Sequence, residues 1–248
     1  MSHRVHGLHA VRAALEAGTL RRVVVDERRT DRRLTELVAE CEAAGVPVES
    51  SRRQRLDDLA EGGRHQGVVG EGAPRVGGWA ELRDAAAAGG LWLALDGVQD
   101  PHNLGACLRT AEAAGAAGVI APRDRAAGLT ATARKVAAGA AERLPLYQVT
   151  NLARTLKELG AGGLFIVGAA GDTDTVLYDV DLTGPLILVL GAEERGLRRL
   201  TRENCDVVAR LPMAGGAESL NVSVAAGVCL FEAVRQRGVP SSGGHGSG

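Results

Sequence analysis

The sequence has no excess of charge of either sign: 29 Lys and Arg stand against 30 Asp and Glu, a formal net charge of −1. No global field therefore draws the chain to nucleic acid or to a membrane, and a polyanionic partner must be met by local clusters. There is no CxxC pair. The four cysteines, Cys41, Cys107, Cys205 and Cys229, lie far apart in apolar or helix-patterned surroundings, which reads as reduced core thiols of a cytoplasmic protein. No apolar run approaches the ~20 residues of a spanning helix and the N-terminus lacks the apolar core of a signal peptide, so no membrane role is expected. GxGxxG, P-loop, HExxH and GxSxG fingerprints are all missing. That removes most common enzyme classes and leaves polar recognition by backbone loops. His3, His6 and His9 recur at an interval of three, but no cysteine or acidic cluster accompanies them, and no metal is expected.

What is present is apolar material enough for a real core, 45% of 248 residues, in one large or two small domains. Residues 1–72 alternate helix-like and strand-like runs: helices over His9–Gly18 and Asp31–Gly45, strands over Arg21–Asp26, Val46–Ser50 and His65–Gly72. This predicts a small α/β module. Its arginines come in groups, Arg28, Arg29, Arg32 and Arg33, then Arg52, Arg53 and Arg55, at corresponding strand-to-helix corners. They are either solvated surface or an edge that contacts phosphates, which fixes register on nucleic acid without reading sequence. Residues 73–90 shift to Gly, Ala and Pro and read as a linker with a helical turn at Trp79–Ala88, and the SSGGHGSG end of the 239–248 tail is low-complexity with no assigned role.

From 91 to 238 the pattern becomes repeated β and α. Strands are predicted over Leu91–Asp96, Gly118–Pro122, Leu144–Val149, Gly163–Ala170, Pro185–Glu193 and Asp206–Pro212, and helices over Asn103–Gly115, Leu129–Ala140 and Asn151–Gly160. Such alternation implies a parallel sheet covered by helices on both faces. Ligands of open parallel sheets sit beyond the carboxyl ends of the strands. The loops DGVQDPHN, GAEERG and LPMAGGAES all follow strands, so the site is expected where these three meet. The last loop leads into a helix from Leu220 to Val234 that is apolar nearly all round, with Leu220, Val224, Val228 and Phe231 on one side and Val222, Ala226, Leu230 and Ala233 on the other. Such a helix must be covered on more than one face, which suggests a core on one side and a partner subunit on the other. Ser219 is the expected N-cap, with free amides from Ala214 to Glu218 behind it to wrap a ligand. Asn103 reads as the cap of its own helix, and Arg109, about 9 Å further along the axis, stands among Leu, Ala, Cys and Gly and calls for an anion.

DPHNLGACLRTAEAAG, GAEERGLRRLTRENCD and LPMAGGAESLNVSVAAGVCLFEAVRQR resemble the three ordered motifs of the SpoU (TrmH) family of RNA ribose 2′-O-methyltransferases, within the SPOUT superfamily. ATARKVAAGAAE, VTNLART, HGLHAVRAALEAG and HQGVV extend the likeness to nearly the whole chain, toward the branch that methylates a guanosine of bacterial 23S rRNA. Relatives with tRNA or resistance-conferring rRNA targets, and a catalytically silent RNA-binding assembly protein, stay open. The resemblance implies a catalytic α/β domain with a deep C-terminal trefoil knot, S-adenosylmethionine bound within it, a homodimer through the last helix, and an N-terminal module like ribosomal protein L30e that helps hold RNA through the arginine groups. Matched motif by motif, it implies a catalytic set of Asn103, Arg109, Glu193, Ser219 and Asn221, and a cofactor set of Gly191, Leu211, Met213, Ser219 and Leu220. Arg109 would act as base or, being a guanidinium, grip the target phosphate and stabilise developing oxyanion charge. Glu193 would orient Arg109 or Asn103, within one subunit or across subunits, or serve as the base itself. The chain departs from the family pattern at Glu194 and Arg195, and at Gly216, Ala217 and Glu218 ahead of Ser219.

Overall fold

A computed structural model describes residues 3–73, 75–193, 195–216 and 219–238. The departures at Glu194, Ala217 and Glu218 and the tail 239–248 lie outside the described residues. The first module runs β1 (His3–His6), α1 (Leu8–Glu16), β2 (Leu20–Asp26), α2 (Arg32–Ala43), β3 (Val48–Ser51), α3 (Arg53–Ala60) and β4 (Val68–Gly72). The strands order β1-β4-β2-β3, with β2 and β3 parallel and β4 antiparallel to both β1 and β2. Alternation along β2 sends Val23 and Val25 to a core shared with Val11, Leu34, Leu37 and Cys41, and Val24 to a smaller cluster with Leu56, Ala60 and Val69. The sheet thus has helices on both faces. His3–His6, read from sequence only as a histidine interval, is an edge strand, because its backbone pairs with β4 whatever its side chains prefer.

The second module comprises β5 (Val76–Gly77), α4 (Trp79–Ala86), β6 (Leu91–Asp96), α5 (Pro101–Ala113), β7 (Gly118–Pro122), α6 (Ala131–Ala137), α7 (Ala140–Arg143), β8 (Leu146–Val149), α8 (Leu152–Ala161), β9 (Phe165–Ala169), a 3-10 turn at Leu177–Asp179, β10 (Leu186–Gly191), α9 (Arg199–Arg202), β11 (Val207–Ala209) and α10 (Val222–Arg237). Its seven strands order β11-β9-β10-β6-β7-β8-β5, every pair parallel. Every residue of β6 is buried, as a central parallel strand covered on both faces must be. α5, α6, α7 and α10 cover one face through Leu104, Leu108, Ala133, Ala226 and Leu230, and α4 and α8 cover the other through Leu82, Leu152 and Leu156. The segment expected as a linker is part of this body: Val76 and Gly77 pair with Leu146 and Tyr147, and Leu82 and Ala86 are buried against Trp92 and Ile120. Its Gly and Ala content reflects close approach, since a Cβ at Gly77 would lie 2.8 Å from the Tyr147 ring. The helix expected over Leu129–Ala140 breaks in two because Ala138 and Gly139 both take left-handed backbone, φ 51 and 90.

Strand order reverses beside β6, whose neighbours are β10 and β7, so the crevice of the sheet opens at the carboxyl ends of β6 and β10. Among the described residues no helix is long and apolar enough to cross a membrane, and no group of His, Cys, Asp and Glu could hold a metal ion. The four cysteines are unpaired, and burial pushes Cys41 up to about 11 and Cys107, Cys205 and Cys229 up to about 12, which keeps them protonated at neutral pH.

Candidate active site

Register brings the site loops together. Asp96 at the end of β6 lies opposite Gly191 at the end of β10, whose Leu190 lies opposite Ala169 at the end of β9. The turn after β10 folds back at once, with the Gly196 N–H donating to the Ala192 carbonyl at 2.8 Å. A Cβ at Gly191 would lie 2.0 Å from the Gly196 carbonyl carbon. Only glycine lets the main chain pass itself so closely.

That turn presents Glu193 to the starts of two helices. Pro101 occupies the first position of α5 and Asp100 caps it, accepting from His102 N at 2.9 Å, which moves Asn103 from the expected cap into the first turn. α10 is capped not by Ser219 but by Asn221, whose Oδ1 accepts from Ser223 N at 2.9 Å and Ser223 Oγ at 2.6 Å. With its oxygen committed to the cap, Asn221 turns its amide outward. Asn221 Nδ2 donates to Glu193 Oε1 at 2.5 Å and to Asn103 Oδ1 at 3.1 Å, and Asn103 Nδ2 donates to the same Glu193 oxygen at 3.0 Å. The carboxylate is the acceptor of both amides and fixes which way each faces. Within the chain Glu193 orients Asn103 and makes no bond to Arg109 among the described residues.

Two cavities flank this node. The first, about 470 Å³, is lined by Leu190, Gly191, Leu211, Met213, Ser219 and Leu220 among others, and so takes in every residue of the expected cofactor set. Its walls combine apolar side chains with backbone of three turns, the setting for a flat heterocycle held by main-chain hydrogen bonds. Ala169, Ala170, Gly171 and Arg210 also line it and were not expected; the signal was available, since β9 is another parallel strand ending at the same edge. The second cavity, about 360 Å³, is lined by Asp96, Gly97, Gln99, Asn103, Arg125 and Arg198. Both share Ala192, Glu193, Gly196 and Val222, so the turn carrying Glu193 is the wall between them.

Arg109 lines neither cavity. Six residues past Asn103 it projects about 120° around α5 from it and is exposed; the next residue, Thr110, faces α10, where a Cβ at Gly227 would lie 3.5 Å from its methyl. Among the described residues it has no hydrogen-bond or ion-pair partner. In the first module, parallel pairing of β2 with β3 sets Asp26 opposite Ser51, so both arginine groups emerge at one edge. Arg29 is paired with Asp31, Arg32 with Glu36 at 2.7 Å and Arg55 with Glu49 at 2.9 Å. Arg28, Arg33, Arg52 and Arg53 are exposed with no acidic partner among the described residues.

An α/β body whose three carboxyl-edge turns enclose one cavity and wall it from a second matches a known family: residues 90–231 match the SpoU rRNA Methylase family, and residues 4–75 match the RNA 2′-O ribose methyltransferase substrate binding family. The chain belongs to the SpoU rRNA Methylase family. Among individual proteins it is 54% identical over 246 residues to the 23S rRNA (guanosine-2′-O-)-methyltransferase RlmB of Yersinia pestis, covering 96% of this chain and 99% of that one. It is 51% identical over 242 residues to RlmB of Escherichia coli (strain K12), covering 96% and 100%. The fold is shared with the AdoMet-bound rRNA methyltransferase from Sinorhizobium meliloti, at TM-score 0.79, 28% identity and 94% and 87% coverage. It is shared also with the SpoU methyltransferase AviRb from Streptomyces viridochromogenes in complex with AdoMet, at TM-score 0.79, 27% identity and 95% and 90% coverage.

Proposed function

We propose that this protein methylates the ribose 2′-hydroxyl of a guanosine in 23S rRNA, using S-adenosylmethionine, as a cytoplasmic homodimer. The observation that carries the reading is the shared wall: the glycine-lined cavity and the polar cavity meet at Glu193, with the amides of Asn103 and Asn221 fixed on it. Leu190, Leu211, Leu220 and the backbone of Gly191 would hold the cofactor, with Met213 and Ser219 at its side. When bound, it supplies an electrophilic methyl group on a sulfonium.

Little more is needed of the protein than alignment of the 2′-oxygen and help for the charge that develops on it. Glu193 holds the Asn103 and Asn221 amides in place, and with the Val222 N–H as a third donor its Oε1 acts as the organiser of the site. Arg109 serves the reaction by gripping phosphate and stabilising oxyanion charge, and it does so in the partner subunit's site; the 2′-hydroxyl proton would leave to that phosphate or to water as the methyl group is transferred. The support is its exposure on α5, the helix that packs on α10; on α10 Val224 and Phe231 are about half exposed, 51% and 49%, one face of a helix whose Ala226, Cys229 and Leu230 are buried. This apolar face is the proposed dimer contact. A deep trefoil knot belongs to the same reading. It is supported by the chain crossing from β10 to β11 beyond β9 and then returning, so that α10 packs on α5 and β10. The edge holding Arg28, Arg33, Arg52 and Arg53 is proposed to take RNA phosphates, with Arg29, Arg32 and Arg55 tempered by their acidic partners.

The test is tritiated methyl transfer from S-adenosylmethionine to purified 23S rRNA and tRNA in parallel, with the modified nucleotide mapped. One 2′-O-methylguanosine in 23S rRNA is expected. Methylation of tRNA alone, or of neither RNA, would overturn the proposal.

A further inference from the structure

The second cavity holds an arginine prepared in a way the transfer itself does not require. Arg198 lies between β10 and α9 with its backbone N–H donating to Asp96 Oδ2 at 2.8 Å and its side-chain Nε 3.6 Å from Asp96 Oδ1. Asp96 is 1% exposed, and its Oδ1 receives no hydrogen bond. The cation that pairs with this buried carboxyl is Arg198. The backbone bond and the ion pair set the guanidinium beside Asp96. Its far end lies against Gly97, where a Cβ would lie 2.8 Å from Nη2 and 3.4 Å from Cζ. Gly97 has φ +83, a backbone conformation that favours glycine. The Arg198 side chain is still 46% exposed, and its terminal N–H groups have no acceptor among the described residues. A fork of donors therefore lines a hollow about 360 Å³ in size that Glu193 and Asn103 line as well.

We infer that this hollow receives the guanine base of the acceptor nucleotide and that Arg198 determines the specificity by donating to its O6 and N7. The inference rests on the proposed reaction: if the 2′-hydroxyl sits at the wall beside Glu193, the attached base extends into the second cavity. Guanine offers two acceptors side by side on its Hoogsteen edge, which match an arginine fork, whereas adenine sets a donor beside N7. RNA bases read in this way are unstacked and splayed from the helix. A concave pocket suits a base; phosphates, carried on the outside of the strand, suit the exposed arginines of the first module. Asp96 and Gly97 are positioning residues that act through Arg198.

The experiment uses the full chain and a synthetic RNA fragment bearing the mapped acceptor, with guanosine replaced at that one position. 7-Deazaguanosine lacks N7; inosine keeps N7 and O6 but lacks the 2-amino group. Wild-type kcat/KM should fall about tenfold on the 7-deaza RNA and stay near the guanosine value on inosine. Arg198→Lys keeps the charge beside Asp96 and loses the fork. It should bind S-adenosylmethionine like wild type, lose about 5- to 150-fold in kcat/KM on guanosine, and treat guanosine and 7-deazaguanosine alike. Equal wild-type rates on guanosine and 7-deazaguanosine would overturn the inference and leave the proposed reaction standing. A drop on inosine alone would place recognition on the Watson–Crick edge and overturn it too. Should wild type methylate none of the three, the reaction itself falls. Because the analogue comparison needs no variant, it decides even if Arg198→Lys folds poorly.

Discussion

An alanine at Gly191 adds one methyl group where the main chain has no room for it. The new Cβ would lie 2.0 Å from the Gly196 carbonyl carbon, 2.2 Å from its oxygen and 2.3 Å from Leu197 N. Non-bonded carbons rest at about 3.5–4.0 Å, so the opposing backbone must retreat by roughly 1.5–2 Å. No flexible side chain can absorb this, and the turn is already held by the bond from Gly196 N to the Ala192 carbonyl at 2.8 Å. Overpacking of this kind costs about 1–3 kcal/mol, or roughly 2–12 °C in Tm for a chain of this size. The larger effect falls on function, because the displaced turn carries Glu193 and walls both cavities. A shift of about 1 Å at reacting groups is worth on the order of 100-fold in rate. Thermal melting, calorimetric titration with S-adenosylmethionine and methyl transfer read the three consequences separately. Gly128→Ala is the control: nothing lies within 4 Å of its Cβ, and its stability should match wild type within about 0.5 kcal/mol. A Gly191→Ala protein that melts, binds and transfers like wild type would refute the reading of this turn.

Phe231→Glu should halve the particle mass in light scattering while leaving the protomer folded, since that side chain is 49% exposed in one protomer; an unchanged dimer would show that the contact lies elsewhere. Replacing Arg52 and Arg53 together by alanine should weaken RNA binding and lower the slope of log affinity against log salt by about 0.7–0.9 for each phosphate no longer neutralised, with S-adenosylmethionine affinity untouched. An unaltered salt slope would remove that edge from the interface. Hydrogen bonds from Arg235 and then Gln236 hold the Glu232 carboxyl down at about 2 from an ordinary value of 4.5. A lowered folded-state pKa gives stability that is complete above pH 4.5 and is lost as pH falls toward about 2. Acid titration of stability should therefore show a loss in that window that Glu232→Gln lacks, and identical profiles would refute it.

Much of this was legible because the strands of the second module are buried on both faces and read as unbroken apolar runs between turns. The three site loops could be placed at one edge for the same reason, since parallel strands all end there. Caps were harder. Asp100 precedes Pro101, a stronger helix start than Asn103, and Asn221 captures the start of α10 because its oxygen reaches Ser223 N, a local contest that Ser219 lost by two residues. The strand order β11-β9-β10-β6 was not legible, being decided by tertiary packing, and so neither was the second cavity with Asp96, Gly97 and Arg198. β5 escaped notice because two residues carry no periodicity and its pairing with β8 is long-range. The reach of Arg109 depended on angle as much as distance: helical geometry turns it away from the site of its own chain.

Mixed dimers test the composite site most directly. Arg109→Ala and a cofactor-cavity variant such as Gly191→Val should each be inactive alone. Co-expressed in equal amounts, they should recover about a quarter of wild-type methyl transfer, because half the dimers are mixed and each of those pairs one intact cavity with one intact Arg109 from the other chain. Recovery near that level is the predicted result; no recovery from demonstrably mixed dimers would place Arg109 in the site of its own subunit and contradict the account.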